Sequence, residues 1–251
     1  MRIHGFHHLY QLRLKQSTKP FVARGSQVER CEYCRVAKAY CLCAHQPNIQ
    51  TQVAAMLILS DNEIFKPSNT GRLIADTIQD THVFQWHRTN PPAEMLSQLE
   101  NHNYAPVLVF PATSADDHAK VVTTQNVTDS DKTPLLVFID GSWREARRIY
   151  RKSAYLQSLP LLSMQPETVS DYIMRKSENE QYLATAEVAS LVLQGVGEAE
   201  AAKTLRYWFN AFKETYLMTK SRGLQDESRP QLSLYLQWKD SITRADERDT
   251  R

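Results

Sequence analysis

Leu135-Leu136-Val137-Phe138-Ile139-Asp140-Gly141-Ser142-Trp143, continued by Arg-Glu-Ala-Arg-Arg-Ile-Tyr-Arg-Lys to position 152, is the stretch whose reading decides the fold. Residues 135–139 are apolar without alternation, the pattern of a parallel strand buried on both faces. The run stops at Asp140-Gly141, and a helical pattern starts at Ser142 or Trp143. Trp143, Ala146 and Tyr150 share one side of that helix, while Arg144, Arg147, Arg148 and Arg151 recur at i, i+3, i+4 and i+7 on another. A buried strand thus delivers a carboxylate to its C-terminal end beside a helix coated with guanidinium groups. In open α/β sheets ligands bind at that end.

Working outward, residues 53–59 form a second apolar run that stops at Ser60-Asp61, and residues 107–110 a third that stops at Pro111. Residues 82–86 read as a short strand and 159–162 as another. Helices are expected over 70–80, 92–101, 186–194 and 198–218, with Thr185 as an N-cap and Glu187 in the first turn. Leu205, Trp208, Phe209, Phe212 and Tyr216 lie on the apolar side of the last of these, as core or dimer contacts. Polar caps and Gly71 make the start of the helix at 70 a plausible anion site, although an ordinary capped helix is the plainer reading. Residues 112–133 are polar and read as a long mobile loop. The fold class is α/β, with a mostly parallel sheet whose strands end in loops at one edge.

All four cysteines fall between positions 31 and 43, as Cys31-x-x-Cys34 and Cys41-x-Cys43. Such clustering in a chain that reads as intracellular points to a closed, structural tetrahedral Zn2+ site, not to disulfides. His45 is a conceivable substitute ligand, and Arg30, Arg35 and Lys38 would help to keep the thiolates deprotonated. The chain divides into a basic N-terminal segment (1–27), a zinc knuckle (28–50), a main α/β domain (51–218) and a charged C-terminal extension (219–251) that reads as peripheral. The first segment carries Arg2, Arg13, Lys15, Lys19 and Arg24 and no acid. It is either a solvated tail or an arm on nucleic acid phosphate.

The exclusions are as informative. Net charge is only +2 in 251 residues, so the clustering of arginines matters more than their number. No G-x-G-x-x-G, Walker A or Gly-x-Ser-x-Gly pattern occurs, and there are only seven glycines, which argues against dinucleotide, P-loop and serine-hydrolase chemistry. The apolar runs are strand-sized, and residues 1–10 hold three histidines and no apolar core. A soluble, cytoplasmic protein with neither membrane span nor signal peptide is expected, and no obligatory protein partner is evident.

Several motifs in order resemble the DTW-domain family: the Cys31/Cys34/Cys41/Cys43 knuckle, Lys66-Pro67-Ser68-Asn69-Thr70-Gly71-Arg72-Leu73, Phe110-Pro111, Asp140-Gly141-Ser142-Trp143, Ser170-Asp171-Tyr172-x-x-Arg175-Lys176, and Thr185-Ala186-Glu187. The resemblance spans roughly 28–218, with Ser142 where the signature has threonine. It implies a SPOUT-like domain with a trefoil knot toward its C-terminal half, S-adenosylmethionine as co-substrate, and transfer of an aminocarboxypropyl group to N3 of a tRNA uridine. On that footing Asp140 is the candidate general base, with capping or holding cofactor as its alternative. Phe110, Pro111, Ile139, Gly141, Ser142, Trp143 and Thr185 would cradle the cofactor, and Glu187 would hold its ammonium group. Lys66, Arg72, Arg144, Arg147, Arg148, Arg151 and Arg175 would neutralise tRNA phosphates, with the knuckle and N-terminal segment extending the footprint. Two other readings stand beside this one: a SPOUT-type RNA methyltransferase, and a non-catalytic zinc-containing RNA-binding protein.

Overall fold

The computed structural model describes residues 1–18, 28–115, 118–163, 184–219 and 226–249. Its centre is a six-stranded sheet in which every pairing is parallel, in the order β2-β1-β5-β3-β6-β4. The strands are β1 (Ala54–Leu59), β2 (Thr81–Gln85), β3 (Tyr104–Val109), β4 (Val121–Val122), β5 (Thr133–Asp140) and β6 (Leu161–Leu162). β1 is buried at every position, and Leu135 to Phe138 of β5 are buried without interruption. Unbroken apolar runs therefore sit where both faces of a parallel sheet are covered.

Alternate residues feed two separate cores. Ala55, Leu57, Leu59, Leu136 and Phe138 point to one face, Ala54, Met56, Ile58, Leu135 and Val137 to the other. The first face is covered by helices α1 (Gly5–Gln16), α2 (Gly71–Thr77), α7 (Thr185–Gly195), α8 (Ala199–Leu217) and α9 (Pro230–Asp249), together with the cysteine knuckle. The second is covered by α3 (Ala93–Glu100), α5 (Trp143–Arg151) and α6 (Ala154–Gln157). Leu205, Trp208, Phe209 and Phe212 of α8 are buried in the first core, as their spacing implies.

Pro106 lies inside β3, where a missing N–H would ordinarily break a ladder. The Leu108 amide donates toward the β6 side, to the Pro160 carbonyl at 2.8 Å. The Pro106 nitrogen faces the same side, where β6 pairs only with Leu108 and Val109, so no ladder bond is lost.

The structure corrects several expectations. Residues 112–133 are not one long loop: they hold β4 and helix α4 (Thr124–Thr128), whose Thr123 cap accepts the Asn126 amide. The two-residue β4 is too short to show periodicity. Helix α2 ends at Thr77 rather than near 80. Residues 1–18 are not a solvated tail, because α1 buries Phe6, His7 and Tyr10. The Arg2 guanidinium there donates to the carbonyls of Ala75 and Asp76 at 2.8 and 3.1 Å, closing the C-terminal end of α2. Lys19 and Arg24 lie outside the described residues. The C-terminal extension is not peripheral either. Leu232 and Tyr235 of α9 are buried, and the Tyr235 hydroxyl donates to the His45 carbonyl at 2.6 Å.

Candidate active site

Asp140 is the last residue of β5, between the C-terminal ends of β1 and β3. It is only 3% exposed. Its Oδ1 accepts the Thr185 hydroxyl at 2.6 Å and its Oδ2 accepts the Asn69 amide at 2.6 Å. The backbone belongs to the same knot of contacts, for the Ser60 N–H donates to the Asp140 carbonyl at 2.9 Å. The Asp140 carboxylate therefore joins the 66–71 segment and the start of α7 to β5, and its backbone carbonyl adds the residue that follows β1. Gly71 is required by close approach: a Cβ there would lie 2.8 Å from Asp140 Cγ and nearer still to Oδ2.

Burial raises the Asp140 carboxyl to about 6, with the charge of Glu63 acting in the same direction. The hydrogen bonds from Thr185 and Asn69 and the Lys66 ammonium oppose this. A carboxyl that changes protonation near neutrality, at the ligand end of a parallel sheet, suits proton transfer.

The expected neighbours gather around it unequally. Phe110 is buried in an aromatic stack, 5.6 Å from Trp143 and 4.9 Å from Tyr150 between ring centroids. Pro111 is exposed, and Ile139, Gly141 and Trp143 are half-buried at the same rim. Ser142 caps α5: its hydroxyl accepts the Glu145 amide, and Glu145 accepts the Ser142 N–H at 2.8 Å. Thr185 is not the N-cap of α7. It is the first helical residue and gives its hydroxyl to Asp140, while Glu187 accepts the Ala184 N–H at 2.9 Å and so closes the helix start. At the start of α2, Asn69 Oδ1 takes the Arg72 N–H at 2.9 Å, the side-chain capping of the plainer reading.

The basic residues separate into two groups. Arg144, Arg147, Arg148 and Arg151 are exposed along α5, opposite the buried Ala146, Ile149 and Tyr150. Arg148 also lies over Trp86, its guanidinium carbon 5.7 Å from the ring centroid. Lys66 is half-buried beside Glu63. Arg72 is a correction: it is 2% exposed and donates to Asp76 at 2.7 Å and to the Cys34 carbonyl at 2.9 Å. It is a core cation that no phosphate can reach. Arg175, with the Ser170–Lys176 motif, lies outside the described residues. The knuckle packs on the face opposite α5, so it does not continue the arginine stripe.

The four cysteine sulfurs form one cluster. Cys31–Cys43, Cys31–Cys41 and Cys34–Cys41 are 3.5, 3.7 and 3.8 Å apart. Zinc–sulfur bonds of about 2.3 Å in a tetrahedron place sulfurs about 3.8 Å apart, so the donor set and spacing suit a zinc ion. The flanking cations are otherwise engaged: Arg35 lies over Tyr10, Lys38 pairs with Glu29, and Arg30 donates to the Arg35 carbonyl. Thiolate character comes from within the cluster and from backbone, since the Cys43 thiol and the Leu42 N–H both favour a Cys34 thiolate. His45 gives its carbonyl to Tyr235 and is not needed as a ligand.

A second group, His4, His7 and Asp76, brings potential ligand atoms within 4.8 Å of one another. It reads as core. Asp76 already accepts four hydrogen bonds, from His4, Gln46, Arg72 and Trp208, which fills its lone pairs.

These features define a parallel α/β protein with a buried carboxylate centre at the carboxyl edge of its sheet, a basic helix beside it and a cysteine cluster able to hold zinc. The DTW domain model matches residues 28–217, and the chain belongs to the DTW-domain family. That membership is consistent with a tRNA-modifying enzyme family. No solved structure matches the chain. Among the described residues, no helix is long and apolar enough to cross a membrane.

Glu63 and Asn69 are the residues that sequence reasoning missed. Asn69 stood inside a recognised motif with no role attached. Glu63 carried no signal at all, because a lone glutamate in a short turn resembles a solvated one.

Proposed function

We propose that this chain transfers the 3-amino-3-carboxypropyl group of S-adenosylmethionine to N3 of a tRNA uridine, in the cytoplasm. The observation that carries the reading is Asp140, a buried carboxylate with near-neutral proton affinity at the ligand edge of a DTW domain, beside four exposed arginines. The co-substrate supplies an electrophilic carbon with a sulfonium leaving group. The bond from uridine N3 to that carbon forms as the carbon–sulfur bond breaks, and methylthioadenosine leaves.

The chain then has to orient two reactants and remove one proton. The rim formed by Phe110, Pro111, Ile139, Gly141, Ser142, Trp143 and Thr185 would hold the co-substrate. Asp140 would accept the N3 proton, as each of its oxygens keeps a lone pair after the bonds to Asn69 and Thr185. Glu187, which holds the Ala184 N–H through one carboxylate oxygen, would take the ammonium group of the co-substrate through its other acceptor sites. Arg144, Arg147, Arg148 and Arg151, with Lys66, would take tRNA phosphates. The trefoil knot, zinc as the occupant of the knuckle and a phosphate contact for Arg175 belong to the same proposal.

One observation favours a second role for Asp140. At 3% exposure, with both oxygens bonded, it is also built to hold the cofactor rim together. Asp140→Asn separates the roles. A base variant loses transfer by about 10²-fold or more while S-adenosylmethionine binds as before; a rim variant loses cofactor binding.

The primary test incubates the protein with S-adenosylmethionine and unmodified tRNA, followed by mass spectrometry of nucleosides and small products. A uridine gaining an aminocarboxypropyl group with methylthioadenosine released is the expected result. Methyl gain with S-adenosylhomocysteine would replace the chemistry by methyl transfer. RNA binding without turnover, unchanged by Asp140→Asn, would leave a binding protein.

A further inference from the structure

Beside Asp140 lies a second carboxylate that the proposed transfer does not use. Glu63 is 8% exposed and sits in the short turn Glu63–Phe65 that follows β1. Asn69 Nδ2 donates to Asp140 Oδ2 at 2.6 Å and to Glu63 Oε1 at 3.2 Å. The amide has two hydrogens, so one amide group bridges two acids. Its orientation is forced, because Asn69 Oδ1 accepts the Arg72 N–H at 2.9 Å. A flipped amide would place an oxygen between two carboxylates and a donor against a donor.

We propose that Glu63 is a positioning residue of the catalytic centre, acting on Asp140 through the shared Asn69 amide. The inference rests on Asp140 being the working group of the proposed transfer, but its geometry does not depend on the identity of the product. Glu63 does two things. It holds the amide so that one hydrogen faces Asp140, and it adds a negative charge next to a carboxylate already removed from water. Like charges sharing a buried site favour keeping a proton between them. The remaining charged groups around the pair are few. Lys66 pairs with the other Glu63 oxygen, Glu145 stands in the first turn of α5 bonded to Ser142, and Glu187 in the first turn of α7 is bonded to Ala184. The Lys66 ammonium acts on Asp140 from a position tethered to Glu63.

The test follows carboxyl carbon resonances of full-length protein labelled at Asp and Glu side chains, titrated from pH 8 to 4. In the unaltered protein, labelled also with nitrogen-15, both Asn69 side-chain amide hydrogens are hydrogen-bonded and exchange slowly, one held by each acid. In Glu63→Gln the Asp140 midpoint falls by about one pH unit, the scale of a neighbouring charge. An Asn69 amide hydrogen left free toward Glu63 in the unaltered protein, or an unmoved Asp140 midpoint in a folded Glu63→Gln, would overturn the proposal. The Asn69 amide resonances of the unaltered protein decide the question even where the variant does not fold. Where aminocarboxypropyl transfer is measurable, the acid limb of kcat moves with the Asp140 midpoint in Glu63→Gln. A protein without that activity refutes the proposed reaction and leaves the resonance test intact.

Discussion

Thr185 Oγ1 donates to Asp140 Oδ1 at 2.6 Å, which ties the first residue of α7 to the last residue of β5. The bond joins residues 45 positions apart in the sequence. A short hydrogen bond to a buried carboxylate is the strong kind, about 1.5–3 kcal/mol. Thr185→Val is expected to lower stability by that amount and to weaken S-adenosylmethionine binding about tenfold. Thr185→Ser should restore both, as read by denaturant unfolding and calorimetric titration.

Gly71→Ala tests the other side of the same carboxylate. The added methyl group meets Asp140 itself, and the contacted atom belongs to a side chain pinned from two directions. Overpacking of this kind costs about 1–3 kcal/mol. Urea unfolding at pH 7.5 should show that loss, together with a collapse of transfer activity. A Gly71→Ala protein with unaltered stability would contradict this packing.

Arg72 and the α5 arginines make opposite predictions. Arg72→Ala strips the Asp76 carboxylate of its ion pair inside the core, a change that costs about 3–5 kcal/mol. Replacing Arg144, Arg147 and Arg151 together should leave the melting temperature within about 2 °C, because all three are exposed. It should instead weaken tRNA binding and flatten its salt dependence by up to about 0.9 per lost contact. Filter binding across a salt series, next to thermal melts of both proteins, measures the contrast.

Acid stability should be governed largely by two buried histidines, His4 at the N-cap of α1 and His7 in its first turn. Burial, then the neighbouring His4, lower His7 to about 3, and burial also lowers His4. Unfolded histidine takes a proton near pH 6.5. The folded protein therefore binds fewer protons than the unfolded chain below that pH. The contribution is fully present above about 6.5 and is lost as pH falls toward 3. Asp76 behaves as a paired carboxylate, held below its ordinary range with Arg72 and His4 as its partners, and its contribution is lost only in more acid solution. Urea unfolding at pH 7.5, 6, 5 and 4 should give falling stability, less steeply below pH 6, where Asp140, raised to about 6, takes up its proton in the folded protein and opposes the histidines. In His7→Phe the slope over that window should be shallower by up to one proton.

Zinc content is predicted at one ion per chain by mass spectrometry of the metal. Removing it with a strong chelator should destabilise more than the knuckle. Arg72 bonds the Cys34 carbonyl, and Tyr235 bonds the His45 carbonyl, so the knuckle backbone is shared with α2 and α9. A melting temperature unchanged after complete metal removal would show the cluster to be incidental.

Short-range pattern was enough for much of this protein. Leu135 to Asp140, the arginine stripe on α5, the aromatic face of α8 and the cysteine spacing each depend on a period or a ligand interval within some twenty residues, and each is present in the structure. What the tertiary structure alone decided is which polar groups are enclosed. Arg72 and Lys66 are six residues apart in one motif, yet one is a core ion pair and the other lies at the site rim. His4 and Arg2 look like a basic tail until α2 is placed against them. Glu63 and Asp140 become a pair only when the chain folds to bring Asn69 against Asp140, 71 positions further on. Periodicity reports which face of an element is apolar. The partner of a buried charge is set by long-range packing, because leaving it without one costs more than any local preference can repay.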